Sequence, residues 1–118
     1  MGKFVIRKTA TGYKFDLKAS NGETIATSEI YTSPAACRKG AESVTKYAAT
    51  ANLADLTSGV EAGNPRFELY EDKAGEYRFR LKARNGKIIA TSEGYKTKAA
   101  CENGIESVRK NSSDAEIA

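Results

Sequence analysis

The chain has no histidine, no tryptophan, one methionine, two prolines and two cysteines among its 118 residues. Without histidine there is no Ser–His or Cys–His nucleophile pair, no imidazole acid–base group and no His-ligated metal. Cys37 and Cys101 alone cannot build an all-cysteine zinc site within one chain. No apolar run approaches the ~20 residues that cross a bilayer. The segment Gly2-Lys3-Phe4-Val5-Ile6-Arg7 meets charge too early to hold a signal-peptide core. Ile6 stands where a myristoylation signal has Ser or Thr. These absences predict a cytoplasmic protein with no membrane association, no metal and no cofactor. What is present is ordinary for a folded domain: 40% apolar residues, 29% charged residues and a formal net charge of +4. A sequence pI of about 9.1 permits an anionic partner without requiring one.

An internal repeat is the strongest signal. Tyr13-Lys14-Phe15-Asp16-Leu17-Lys18-Ala19 recurs as Tyr77-Arg78-Phe79-Arg80-Leu81-Lys82-Ala83. Asn21-Gly22 recurs as Asn85-Gly86, and Ile25-Ala26-Thr27-Ser28-Glu29 as Ile89-Ala90-Thr91-Ser92-Glu93. Tyr31 recurs as Tyr95, Ala35-Ala36-Cys37 as Ala99-Ala100-Cys101, and Glu42-Ser43-Val44 as Glu106-Ser107-Val108. The register is constant from Tyr13 onward, so the chain is a tandem duplication. Repeat 1 spans residues 1–57, residues 58–65 form a linker, and repeat 2 spans residues 66–118, all within one predicted domain.

Each copy reads alike. Phe4–Lys8 and Phe67–Glu71 are short predicted strands. Tyr13, Phe15, Leu17 and Ala19 alternate with polar neighbours, the period of a half-buried strand, and repeat 2 does the same. Asn-Gly then closes a hairpin. A two-residue turn would put Ile25 beside Lys18, on the outside. A three-residue turn with a left-handed Gly22 and a bulge would put it beside Ala19, inside, and this is preferred because both copies keep Ile there. The next strands are Thr24–Ser28 and Ile88–Ser92. Ser33 before Pro34, and Thr97, are predicted N-caps. Cys37, Gly40, Ala41, Val44 and Ala48 form an apolar helical stripe, matched by Cys101, Gly104, Ile105 and Val108. Gly40 and Gly104 on that stripe predict close approach of the helix to the sheet or to the other helix. Final short strands are expected at Ala51–Leu56 and Asp114–Ile117.

The run from Gly75 to Ala83, with Asn85-Gly86, Ala90-Thr91-Ser92-Glu93-Gly94-Tyr95 and Ala99 to Ile105, resembles the YegP-like family of small uncharacterised proteins. The resemblance covers both repeats. It implies an α+β fold: two tandem β3-α-β repeats sharing one antiparallel sheet, both helices on one face, with the C-terminal strands swapped between repeats. It implies no activity. Repeat 1 departs from the pattern with Ile30 in place of Gly94, and Arg38-Lys39 in place of Glu102-Asn103.

Two regions are candidate sites. The first is the strand-to-helix junction, where Ser28, Glu29 and Tyr31, with Ser92, Glu93 and Tyr95, offer hydroxyls and carboxylates to a small polar ligand. The same residues serve equally as a structural joint, satisfying loop and helix amides. Glu29 and Glu93 also invite a paired-carboxylate reading if the fold brings them together. The second is the outward row Arg78, Arg80, Lys82 and Arg84, which can track a phosphate backbone or be a solvated face. Repeat 1 breaks that row with Asp16 and Ser20, and the aromatics that stack on bases in single-strand binders alternate onto the other face. Cys37 and Cys101, near helix N-termini, are either redox-sensitive thiols or small buried residues. The sequence thus points to a monomeric, non-enzymatic binding or interaction module. Its ligand is unidentified, an anionic small molecule being one candidate. The alternative is a nucleic-acid-associated accessory protein using the basic sheet face.

Overall fold

The computed structural model describes residues 2–113 and 115–117. Repeat 1 forms β1 (Lys3–Lys8), β2 (Tyr13–Lys18), β3 (Thr24–Thr27), α1 (Pro34–Ala48) and β4 (Asn52–Asp55). Repeat 2 forms β5 (Arg66–Glu71), β6 (Tyr77–Lys82), β7 (Ile88–Thr91), α2 (Lys98–Ser112) and β8 (Glu116–Ile117). The expected last strand of repeat 2 is shorter than its sequence range, and Asp114 lies outside the described residues.

All eight strands make one sheet in the order β4-β5-β6-β7-β3-β2-β1-β8. The end strands are exchanged. β4 of repeat 1 pairs with β5 of repeat 2, and β8 of repeat 2 pairs with β1 of repeat 1. Both exchanged pairs are parallel, whereas the six inner strands are antiparallel. The expected antiparallel sheet is therefore mixed at its edges. Thr27 pairs with its repeat equivalent Thr91 where β3 meets β7. A pseudo-twofold axis runs through that pair, normal to the sheet.

The hairpin turn shows how local chemistry sets the register. The Ala19 carbonyl accepts from Gly22 N–H at 2.9 Å, and Ala19 N–H donates to the Glu23 carbonyl at 2.9 Å. Gly22 has φ +86°, and Asn21 Oδ1 accepts from Glu23 N–H at 3.0 Å. This is the three-residue turn with a left-handed glycine. Ile25 reaches the core by another route than pairing with Ala19. Lys18 opposes Thr24 and Leu17 opposes Ala26, leaving Ile25 as the extra residue of a bulge. Repeat 2 repeats the device at Ile89.

Both helices cover one face of the sheet. Phe4, Phe15, Leu17, Phe67, Phe79 and Leu81 are fully buried against Cys37, Val44, Cys101 and Val108 in one continuous core. Phe4 meets Phe15 edge-on at 5.4 Å between ring centroids, and Phe67 meets Phe79 likewise at 5.9 Å. Ser33 and Thr97 cap the helices, each accepting from the amide three residues on at 3.1 Å. The expected close approach at Gly40 and Gly104 is to the junction tyrosines Tyr31 and Tyr95, not to the other helix, with the sheet residue Phe79 also near Gly104. A Cβ at Gly40 would collide with the Tyr31 hydroxyl, and one at Gly104 would lie 2.5 Å from the Tyr95 hydroxyl. Side-chain contacts also tie the repeats together, beyond the strand exchange, the β3–β7 pairing and the shared core. Arg109 donates to the Ala48 carbonyl at 2.9 Å at the end of α1, and Lys98 pairs with Asp55 at 2.5 Å. Among the described residues, no helix is long and apolar enough to cross a membrane.

Candidate functional site

The strand-to-helix junction is built from inward-turned groups. Phe15 N–H donates to Ser28 Oγ at 2.9 Å while Ser28 N–H donates to the Phe15 carbonyl at 3.0 Å. Ser28 Oγ in turn donates to the Glu29 carbonyl at 2.7 Å. The buried hydroxyl thus extends the β2–β3 ladder by one side chain where β3 turns away. Ser92 makes the same set with Phe79 and Glu93. Tyr31 is bonded through its backbone to Tyr13, and its ring stacks on Phe15 at 6.5 Å. Tyr95 repeats this with Tyr77 and Phe79, at 6.3 Å. Burial raises both phenol pKa values, and the neighbouring Cys37 and Glu29, or Cys101 and Glu93, add to it.

Glu29 and Glu93 are exposed. They leave the Thr27–Thr91 pair along antiparallel strands, in opposite directions. Two residues each at ~3.3 Å per residue put them on opposite sides of the pseudo-dyad, roughly 13 Å apart. The fold therefore does not assemble a carboxylate pair. Nor does it activate the thiols. Both cysteines are buried, and burial raises the Cys37 pKa and pushes the Cys101 thiol up to about 11.

The face opposite the helices has a different chemistry. Strand alternation places Lys3 and Arg7 of β1 and Lys14 and Lys18 of β2 on it. On the other flank it places Arg66 of β5 and Arg78, Arg80 and Lys82 of β6. Arg84 is exposed beyond the end of β6, in the turn. Between the flanks, β3 and β7 present Thr24, Thr27, Ile88 and Thr91, all uncharged and half-buried.

Each flank carries one carboxylate on its strands, sunk beneath the cations. Glu68 is 2% exposed. It accepts from Arg80 at 2.6 Å and from Arg66 at 2.8 Å, and pairs with Lys82 at 3.3 Å. Burial pushes the Glu68 carboxyl up, but hydrogen bonds from Arg80, Arg66 and Lys82 outweigh it and hold the pKa at about 2. Asp16 is 9% exposed, and accepts from Arg7 Nε at 2.8 Å through one oxygen. At the turn, Arg78 pairs with Asp72 at 2.7 Å. The repeats solve one packing problem in two ways: the diagonal Arg7–Asp16 ion pair is replaced in repeat 2 by the Arg80 guanidinium over the Tyr70 ring at 4.6 Å.

The segment 56–65 folds against the β4–β5 edge of this face. Arg66 Nη1 donates to the Ala62 carbonyl at 2.6 Å, and Ala54 is fully buried although it sits on the outer side. From β6 to β1 the face is open. The sequence alone singles out the repeat 2 cations. It misses Glu68, and it misses the repeat 1 row because Asp16 reads there as an interruption. The legible signal was Glu68 itself, an acid between Phe67 and Leu69 directly facing the Arg80 strand.

Residues 9–55 and 72–118 each match the family described as a domain of unknown function (DUF1508). A UPF0339 protein in ptx operon 5'region from Stutzerimonas stutzeri is 67% identical over 48 residues, covering 41% of this chain and 43% of that protein. The UPF0339 protein plu2779 from Photorhabdus laumondii is 38% identical over 121 residues, covering 99% of this chain and 92% of that one. The solution structure of yegP, a protein of unknown function from E. coli, superposes with a TM-score of 0.79 at 35% identity, covering 98% of this chain and 90% of that one. None of these names carries an activity. With both repeats matched and the fold shared over nearly the whole length, the chain belongs to the DUF1508 family of YegP-like UPF0339 proteins.

Proposed function

We propose that the protein is a non-enzymatic binding module that holds a polyanion on the open face of its sheet. The carrying observation is the arrangement of charge on that face. Cations from both repeats stand outermost, while Glu68 and Asp16 lie buried under them. A carboxylate in that position fixes the guanidinium groups without leaving negative charge at the surface. Preorganised cations on a shared face raise the local potential and attract an anionic partner. The junction residues compete less well as a site: the Ser28 and Ser92 hydroxyls are bonded to backbone groups, and the Tyr31 and Tyr95 hydroxyls are packed against Gly40 and Gly104. Such a module would act as a monomer in the cytoplasm, in keeping with a single chain that supplies both halves of the sheet.

The test separates this face from net charge. One variant carries Lys14, Lys18, Arg78 and Lys82 changed to Gln. A control carries Lys39, Lys46, Lys96 and Lys110, exposed on the helical side, changed to Gln. The open-face variant is expected to elute from immobilised heparin at clearly lower salt than the control. Equal elution of the two would refute the proposal.

A further inference from the structure

We infer that the polyanion is double-stranded nucleic acid, seated with one backbone on each basic flank. This rests on the polyanion reading above and adds the identity of the ligand. Three features of the face carry it.

The first is symmetry. The pseudo-twofold axis through the Thr27–Thr91 pair exchanges the two flanks. The strands of a duplex are likewise antiparallel, with twofold axes normal to the helix axis. A duplex centred on the Thr pair therefore offers equivalent phosphates to both flanks.

The second is spacing. β2 and β6 are three strand intervals apart in the sheet. At ~4.8 Å per interval, the inner cation rows lie ~14 Å apart. That is on the scale of a duplex groove, ~12 Å for the major groove of B-DNA. Flexible lysine and arginine side chains make up the difference. The strip between the rows carries no charge, so a groove can lie over it. A single strand has one backbone and would leave the other flank unmet.

The third is the missing stacking platform. Sheet proteins that bind single strands stack bases on exposed aromatics. Among the described residues, Tyr70 is the one aromatic on this face, and the Arg80 guanidinium covers it. The face is equipped for phosphates and not for bases, so recognition is expected to follow shape and charge with little sequence preference.

Fluorescence anisotropy decides the matter with four probes of matched length: duplex DNA, duplex RNA, single-stranded DNA and inorganic polyphosphate. Each is titrated at several salt concentrations. The duplexes are expected to bind at least tenfold tighter than the single strand or polyphosphate. With about six phosphates contacted, the log–log salt slope should lie near −5. K14Q/K18Q and R78Q/K82Q should each reduce that slope by about two and weaken duplex binding to a similar degree, with melting checked by circular dichroism. T27E/T91E puts charge in the central strip and should abolish duplex binding. Single-strand or polyphosphate binding as tight as duplex binding would overturn the duplex inference and leave the polyanion reading standing. So would loss of binding confined to one flank pair. Failure of every probe to bind in a salt-dependent way would overturn both.

Discussion

Glu68→Gln is the most informative single substitution, because it removes a charge and keeps a shape. In the folded protein the carboxyl titrates at about 2, against an ordinary value of 4.5. At ~1.4 kcal/mol per tenfold, that drop makes the ionised form worth ~3 kcal/mol to the folded state. The carboxylate is 2% exposed, but its partners Arg66, Arg80 and Lys82 are 21–30% exposed and can turn to water when it is lost. That screening reduces the expected cost to ~2 kcal/mol. Urea denaturation should show a midpoint lower by ~1 M at unchanged slope, and the melting temperature should fall by roughly 6–12 °C. The pH dependence gives an independent check. A depressed carboxyl stabilises fully above its unfolded value near 4.5, and that contribution fades as pH falls toward 2. The variant lacks this component, so the stability gap between the two proteins should close across that window. A gap under ~0.5 kcal/mol at neutral pH, or one that persists at pH 2, would refute the reasoning.

Three further outcomes follow from the packing. Gly40→Ala gains ~1 kcal/mol of helix propensity, but its Cβ meets the tip of Tyr31; a net loss of ~1–2 kcal/mol is expected, shrinking in a Tyr31→Leu background as measured by a double-mutant cycle. Ser28→Ala leaves the buried Phe15 N–H without an acceptor, costs ~1–3 kcal/mol, and should speed hydrogen exchange at Phe15. Cys37 and Cys101, with raised pKa values, should resist a disulfide reagent at neutral pH in the native protein and react on unfolding; rapid native-state labelling would contradict their burial.

What the sequence made legible was periodic or local. The alternation of Tyr13, Phe15 and Leu17 located the sheet's inner face, and the Ser33 and Thr97 caps placed the helices. The Asn-Gly turn was legible in type. Its consequence for Ile25 was not, because the second shift arises in the ladder between Leu17 and Lys18. The glycines on the helix stripe signalled a close approach but suggested the sheet or the other helix; the main partner, a tyrosine from the preceding junction, emerges only in three dimensions. The basic face was half legible. Arg78, Arg80 and Lys82 announce themselves on one strand. The carboxylate beneath them comes from β5, and Asp16 looks like a break in the repeat 1 row until Arg7 is seen lying over it. Alternation assigns a face to each residue; it does not reveal which charges end up underneath.

The role of the open face is tested most directly by mapping a polyanion on the folded protein residue by residue. Amide chemical shifts recorded during a duplex titration should move along β2, β6 and the Thr27–Thr91 strip, and stay still on the outer surfaces of α1 and α2. Shifts concentrated on the helices, or at the Tyr31 and Tyr95 junctions with the sheet face silent, would contradict it.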